Sequence, residues 1–350
     1  MENYGGKSLY LLKNKKGWEQ MKKRVLGKDL TVSAVGFGCM GMTHAYGAPS
    51  DTKEMTEVLH QAVDMGYIYF DTAECYTGIN ADGSTAYNEE LVGAALKPYR
   101  HDVVIATKYG VRHSPNGLQM DSRPKTIRRS VEGSLKRLDT DYIDLYYQHR
   151  IDPKVPAEEV AGVMSDLIKE GKILHWGISE TDEDYLRKAH SVCPVTCIQN
   201  RYSMMARDYE ALFPVLEELN VGYVAFSPLA NGVLSDRYNK DSKFEEGVDF
   251  RSHMPQYTPE AFEANRRLFE YLRTLAQEKN ATPAQISLAW MICKKPYIVP
   301  IPGSRKLERI RENLGAADIE LTMEEVAAID EQLDHLDTSA LYGTVSGSRK

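Results

Sequence analysis

From Leu30 onward the chain alternates between two textures. Short apolar runs rich in β-branched and aromatic residues are separated by longer stretches with apolar residues at helical spacing. The runs are TVSAVGF (31–37), YIYF (67–70), VVIAT (103–107), YIDLYY (142–147), KILHWGI (172–178), TCIQ (196–199), GYVAF (222–226) and YIVPI (297–301). Between the first two, DTKEMTEVLHQAVDMG sets Met55, Val58, Leu59, Ala62 and Val63 on one helical face. RPKTIRRSVEGSLKRLD, AEEVAGVMSDLIKEG, DYEALFPVLEELN and KLERIRENLGAA read the same way. Gly66, Gly171, Gly222 and Gly315 fall where helix C-caps belong, and Ser50 or Asp51 is the expected N-cap of the first helix.

Strands alternating with helices predict a parallel sheet. It could be an open doubly wound sheet or a closed (β/α)8 TIM barrel. Eight repeats with no edge-like strand favour the α/β barrel, which needs about 250 residues and leaves room for insertions. Two insertions stand out. Residues 228–257 form a long polar βα loop after strand seven, and ATPAQISLAWMICKK (281–295) is an extra helix before strand eight. Loops of that length are usually functional or disordered. No linker divides the chain, so residues 21–350 read as one domain. Residues 1–20 carry little periodicity and no signal-peptide pattern. MKKRVLGKDL begins at Met21 like a natural start, so residues 1–20 are expected to be an extension from an upstream start codon.

Composition narrows the function. A net charge of −7 gives no support to nucleic acid as a partner. No apolar run approaches the ~18 residues of a membrane span. Five scattered cysteines are expected to pack in a reducing cytoplasm rather than form a disulfide framework. Cys193 and Cys197, the closest pair, lack further ligands nearby, so no metal site is expected.

In a barrel of this kind the chemistry collects at the C-terminal ends of the strands. There YIYF is followed by Asp71, with Tyr76 five residues on; VVIAT by Lys108; and YIDLYYQ by His149. Singly, these read as a helix cap, a surface charge and a structural histidine. Their convergence on one rim favours a shared role. A lysine beside a phenol stabilises the phenolate and lowers its pKa, and a buried lysine needs a carboxylate to stay charged. Tyr76 is therefore the expected general acid near neutral pH, with Asp71 holding the lysine that tunes it. His149 either orients the substrate oxygen or shares the proton relay. Glu74 and Cys75, beside them, receive no role.

GFGCMG (36–41) matches the dinucleotide fingerprint literally, but the first helix starts only near Asp51. A fingerprint needs that helix to open within the glycines. The segment, with Gly41, reads instead as a small-residue loop beneath a ligand. A better anion site is PGSRKLERIRENL (302–314), where Ser304 and Arg305 open a helix and Arg309 follows one turn later. A solvated, N-capped helix is the competing reading of that segment.

The order of FDTAECY, NEELVGAAL, IATKYG, SVEGSLKRLDTDYIDLYYQH, KEGKILHWGIS, IQNRYS, AFSPLANGVL and PIPGSRKLERIRENL resembles the aldo-keto reductases over residues 22–335. The resemblance is to the bacterial branch near the potassium-channel β-subunits and aryl-alcohol dehydrogenase-like members. It implies reduction of aldehydes or ketones with NADPH, NADH being left open, and a catalytic tetrad at Asp71, Tyr76, Lys108 and His149. It also implies cofactor contacts. Ser179, Gln199 and Asn200 would hold the nicotinamide carboxamide, and Phe226 would stack on its ring. Ser227, Leu229 and Gly232 would line the pyrophosphate under the 228–257 loop. Ser304 and Arg309 would grip the 2′-phosphate, with Glu312 and Asn313 near the adenine. Many relatives carry lysine where this chain has Gly303, and Arg305 is read as replacing that charge.

The link TGINADGSTAY (77–87) is longer than in relatives, and either reshapes substrate access or forms a solvated loop. Substrate specificity is expected in residues 43–50, 77–87, 109–121, 228–257 and the tail, with Tyr46 and Tyr109 giving a partly apolar pocket. The expected partner is a small carbonyl compound, with no oligomeric state implied. The rival readings are a nicotinamide-binding regulatory subunit with slow turnover, and a sugar-phosphate isomerase on the same barrel.

Overall fold

The computed structural model describes residues 22–114 and 117–335. The expected N-terminal extension and the tail's share in specificity lie outside the described residues. Eight strands, β1 (Phe37–Gly38), β2 (Tyr69–Asp71), β3 (Val104–Tyr109), β4 (Ile143–Gln148), β5 (Ile173–Ser179), β6 (Cys197–Arg201), β7 (Gly222–Phe226) and β8 (Ile298–Pro300), form one parallel sheet in chain order. Gly36 N–H donates to Pro300 O (2.9 Å) and Gly38 N–H to Pro302 O (3.3 Å), so β1 meets β8 and the sheet closes into a (β/α)8 barrel.

Around it run α1 (Thr52–Met65), α2 (Asn88–Leu96), α3 (Pro124–Leu138), α4 (Ala157–Lys169), α5 (Glu183–Val192), α6 (Phe213–Leu219), α7 (Pro259–Ala264), α8 (Arg266–Glu278), α9 (Pro283–Lys294), α10 (Leu307–Gly315) and α11 (Met323–Asp334). The expected extra helix is α9. Helix α1 buries the five residues assigned to its inner face. Its cap is Asp51, whose carboxylate accepts from the Lys53 and Glu54 N–H groups, and Gly66 ends it at φ 105°.

Three local expectations are corrected. The run 31–37 is two strands, not one. Leu30–Ser33 pairs antiparallel with Lys23–Leu26 in a hairpin, and the chain then bends through Ala34–Gly36 into β1. Gly222 is no cap: Asn220 takes the left-handed position after α6, while Gly222 opens β7 where a Cβ would lie 2.6 Å from Leu26. Gly315 has φ −60° and closes α10 in right-handed geometry.

Because both faces of the sheet are buried, two apolar layers form. Phe70, Ile105, Tyr109, Tyr146, Trp176, Ile198 and Tyr223 face the helices. Tyr69, Ala106, Leu145, Tyr147, Cys197, Val224 and Val299 fill the barrel with Leu26, Leu30 and Val32 of the hairpin. This period of two decides which residue at each strand end reaches the site.

Candidate active site

Counting in twos from Tyr69, Ala106, Tyr147, Cys197 and Val224 brings Asp71, Lys108, His149, Gln199 and Phe226 to the inner face. Ser179 pairs in register with Gln199 and joins them. The inner rim thus carries one polar or aromatic group from each of β2 to β7. Lys108 is fully buried. Its Nζ donates to Asp71 Oδ1 (2.5 Å), Thr72 O (2.7 Å) and the Tyr76 hydroxyl (3.2 Å). The far Asp71 oxygen accepts from Gln199 Nε2 at 2.8 Å. Burial works against the Lys108 charge, yet Asp71 and Tyr76 outweigh it and raise the ammonium pKa. His149 meets the Tyr76 ring edge-on, with centroids 5.8 Å apart.

The expected tuning of Tyr76 is corrected. Burial dominates and pushes the phenol up to about 12, with Lys108 pulling the other way. The lysine limits the rise rather than bringing the phenol to neutrality. His149 is driven well below its ordinary value by burial and then by Arg150 and Lys108, so its ring is neutral.

Several residues have work that sequence reasoning missed. Arg150 Nη1 donates to His149 O (2.6 Å) and to Ser179 Oγ (3.1 Å), and its guanidinium lies 5.8 Å from the Phe226 ring centroid. The signal was a base directly after the histidine. Glu74 accepts from Gly110 N–H at 2.8 Å, tying the Tyr76 loop to the exit of β3. Cys75 Sγ stands 3.5 Å from His149 Nδ1. Asn88 bridges Thr72, Thr43 and Cys39, and Glu89 joins Thr107 to Arg137. Those two explain why NEEL opens α2 with buried polar residues. His44 stacks on Tyr76 (5.9 Å) and touches His113 (5.0 Å), with its Nδ1 donating to Thr77 O.

Two assigned residues face the other way. Asn200, one step past Gln199, points outward and exchanges hydrogen bonds with the Thr181 backbone. Tyr109 is likewise outward and fully buried, stacked on Tyr146 in the helix layer, so it does not line the pocket. Tyr46 does reach the rim loops, accepting from Asn231 Nδ2 at 2.7 Å.

Residues 77–87 fold as an antiparallel hairpin, Thr77–Ile79 against Thr85–Tyr87, closed at its base by Asn88 N–H to Tyr76 O (3.0 Å). A second hairpin pairs Val111–Ser114 with Gly117–Met120. The 228–257 segment crosses to the 43–50 loop, where Phe250 N–H donates to Ala45 O (2.8 Å). It leaves β7 through Ser227 (φ 50°), Ala230 (φ 49°), Asn231 (φ 60°) and Gly232 (φ 110°). Three non-glycine residues in the left-handed region mark a stored backbone cost of roughly 1 kcal/mol or more each, a pattern typical of ligand clamps. Leu229 is partly buried there against the core.

The basic cluster forms beside this strap, though α10 begins at Leu307, two residues later than expected. Arg305 Nε donates to Gly41 O (2.5 Å), and Arg309 Nη1 to the Tyr238 hydroxyl (3.4 Å). Arg305 Nη2 and Arg309 Nε are buried without any hydrogen-bond partner. Ser304 Oγ accepts from Lys306 N–H (3.1 Å), and Glu312 pairs with Arg237 (2.6 Å). Asn313 is buried on α10. Gly303 packs on the β1 backbone, where a Cβ would lie 2.4 Å from Gly38 O. A side chain at this position would have to displace the β1 backbone in this chain.

Among the described residues no group of three or more His, Cys, Asp or Glu side chains could hold a metal. No described helix is long and apolar enough to cross a membrane.

Comparison with known proteins places the family and the fold. The model of the Aldo/keto reductase family matches residues 34–334. A probable aldo-keto reductase 1 of Glycine max is 37% identical over 322 residues, 91% of this chain and 88% of its own length. An aldo-keto reductase of Strobilurus tenacellus is 38% identical over 317 residues, covering 87% and 90%. Among solved structures, a glycerol dehydrogenase of Gluconobacter oxydans superposes with a TM-score of 0.78 at 27% identity, covering 94% of this chain and 98% of that one. An aldo-keto reductase of Klebsiella pneumoniae in complex with NADPH gives 0.68 at 27% identity, covering 93% and 100%. The chain belongs to the aldo/keto reductase family and is an oxidoreductase.

Proposed function

We propose that the protein reduces aldehydes or ketones to alcohols with NADPH, Tyr76 serving as general acid. The observation that carries this reading is the buried chain Asp71–Lys108–Tyr76, in which a carboxylate-held ammonium donates to the Tyr76 hydroxyl. When bound, the reduced nicotinamide supplies hydride to the carbonyl carbon. Tyr76 then gives its proton to the carbonyl oxygen, and Lys108, held by Asp71, stabilises the phenolate left behind. Neutral His149 orients that oxygen. Phe226 offers a ring face, and Ser179 and Gln199 offer polar groups on the same inner rim.

The basic cluster tests whether a phosphorylated dinucleotide fits. Arg305 Nη2 and Arg309 Nε are buried donors with no partner. Such groups cost free energy unless a ligand completes them, and a guanidinium pair suits a phosphate. This favours NADPH over NADH. A relative crystallised with NADPH supports the same cofactor. Five free thiols fit a reducing, cytoplasmic setting.

The test is loss of NADPH absorbance against a carbonyl panel of aromatic aldehydes, methylglyoxal, sugars and ketosteroids. Tyr76→Phe should lower turnover by about 10²–10⁴-fold and leave NADPH affinity near that of the parent. Unchanged turnover in that variant would remove Tyr76 from its role.

A further inference from the structure

We propose that Cys75 is a positioning residue: its thiol donates a hydrogen bond to Nδ1 of His149 and fixes the tautomer in which Nε2 carries the proton. The proposal rests on the carbonyl-reductase reading above. Cys75 immediately precedes Tyr76, and its Sγ lies 3.5 Å from His149 Nδ1, within reach of an S–H···N bond. The backbone N–H of His149 is fixed on Tyr109 O (3.0 Å), and its carbonyl is held by Arg150. The ring is also set edge-on against Tyr76, so it has little freedom to turn away from the thiol.

The direction of the bond follows from the chemistry of the two groups. The imidazole is neutral, because burial and the cations Arg150 and Lys108 push its pKa well down. A neutral imidazole has one N–H and one acceptor nitrogen, and its surroundings choose between them. Burial pushes the Cys75 thiol up to about 12, with Lys108 opposing, so sulfur keeps its hydrogen. A thiol sulfur is a weak acceptor and an imidazole nitrogen a good one. The hydrogen therefore stays on sulfur, Nδ1 accepts, and the ring proton resides on Nε2.

This tautomer gives the orienting role of His149 its physical basis. With its proton on Nε2, the ring can donate a hydrogen bond to a carbonyl oxygen but has no lone pair there to receive a proton. Delivery of the proton then falls to Tyr76 alone, and His149 holds the oxygen in place for it.

The direct test is nitrogen-15 NMR of the full chain with labelled imidazoles. His149 would be identified among the nine histidines by its loss in His149→Gln. The expected spectrum has Nδ1 as the unprotonated nitrogen and Nε2 as the protonated one. In Cys75→Val that preference should weaken, and in Cys75→Ser, which keeps a donor, it should return. The kinetic counterpart is a fall in kcat of about tenfold for Cys75→Val at unchanged NADPH Kd, with most of it restored by serine. A protonated Nδ1 in the parent protein would overturn the proposal, as would Cys75→Val with the parent's tautomer and kcat. The tautomer is read without turnover. A parent that oxidises no NADPH with any carbonyl would thus count against the functional reading and not against this one.

Discussion

At the scale of single residues, the phenol of Tyr76 carries two opposed influences whose balance sets the pH behaviour. Lys108 Nζ at 3.2 Å favours the phenolate, while full enclosure disfavours it more, and the result is a pKa of about 12. Reduction consumes the protonated phenol. Its sign is therefore simple: the reactive form is complete well below that value and is lost only as the pH climbs toward it. Turnover in the reducing direction should stay level from roughly pH 6 to 9. Oxidation of the alcohol requires the phenolate and should rise by about tenfold per pH unit over the same range. Initial rates in both directions against pH check this. A reduction rate halved near pH 7.5 would show that burial had been outweighed after all.

At the scale of elements, the seam between β1 and β8 shows what the sequence conceals. Gly38 and Gly303 lie backbone to backbone: a Cβ on the first would stand 2.7 Å from Ile301 O, and on the second 2.4 Å from Gly38 O. Neither neighbour is the end of a flexible side chain, so the strands themselves must part. Gly303→Ala should destabilise the protein by roughly 1–3 kcal/mol. Because residues 304–309 begin at this seam, the same change should weaken NADPH binding. Denaturant midpoints together with a fluorescence titration of NADPH measure both, and a variant unchanged in either would mean the seam tolerates the extra carbon.

The strands themselves are largely legible in the sequence: seven of the apolar runs became barrel strands, and the first split between the hairpin strand Leu30–Ser33 and β1. Their facing is not. Both faces are buried, so no polar alternation marks which residue looks inward, and the outward face also carries polar groups such as Thr107, Gln148 and Asn200. That is why the sequence does not distinguish Gln199, which looks into the barrel, from Asn200 and Tyr109, which look outward. Cys75 and Glu74 stayed unexplained because their partners, His149 and Gly110, are distant in the chain. The break at Ala34–Gly36 was hidden because the hairpin and β1 are both apolar.

At the scale of the whole molecule, the barrel has two ends with separate duties. Every group assigned to chemistry stands at the C-terminal ends of the strands, together with the two rim hairpins and the 228–257 strap. The opposite mouth is stopped by the Lys23–Leu26 and Leu30–Ser33 hairpin, whose Leu26, Leu30 and Val32 pack on Leu145, Tyr147, Cys197, Val224 and Val299. Leu26 is fully buried, and Gly222 has no side chain because Leu26 takes that space. Truncating Leu26 to alanine removes buried methyl groups and opens a cavity that paired strands cannot easily collapse around. The expected cost is about 2–5 kcal/mol. Activity should not follow stability here, since residues at the N-terminal face of such barrels serve the fold and those at the C-terminal face serve the reaction. Leu26→Ala should therefore lower the denaturant midpoint while leaving kcat and the Kd for NADPH at the parent's values at a temperature where both proteins are folded. A fall in kcat comparable to that of a rim substitution would mean that the plug and the rim are coupled through the barrel interior, and that the two ends do not act independently.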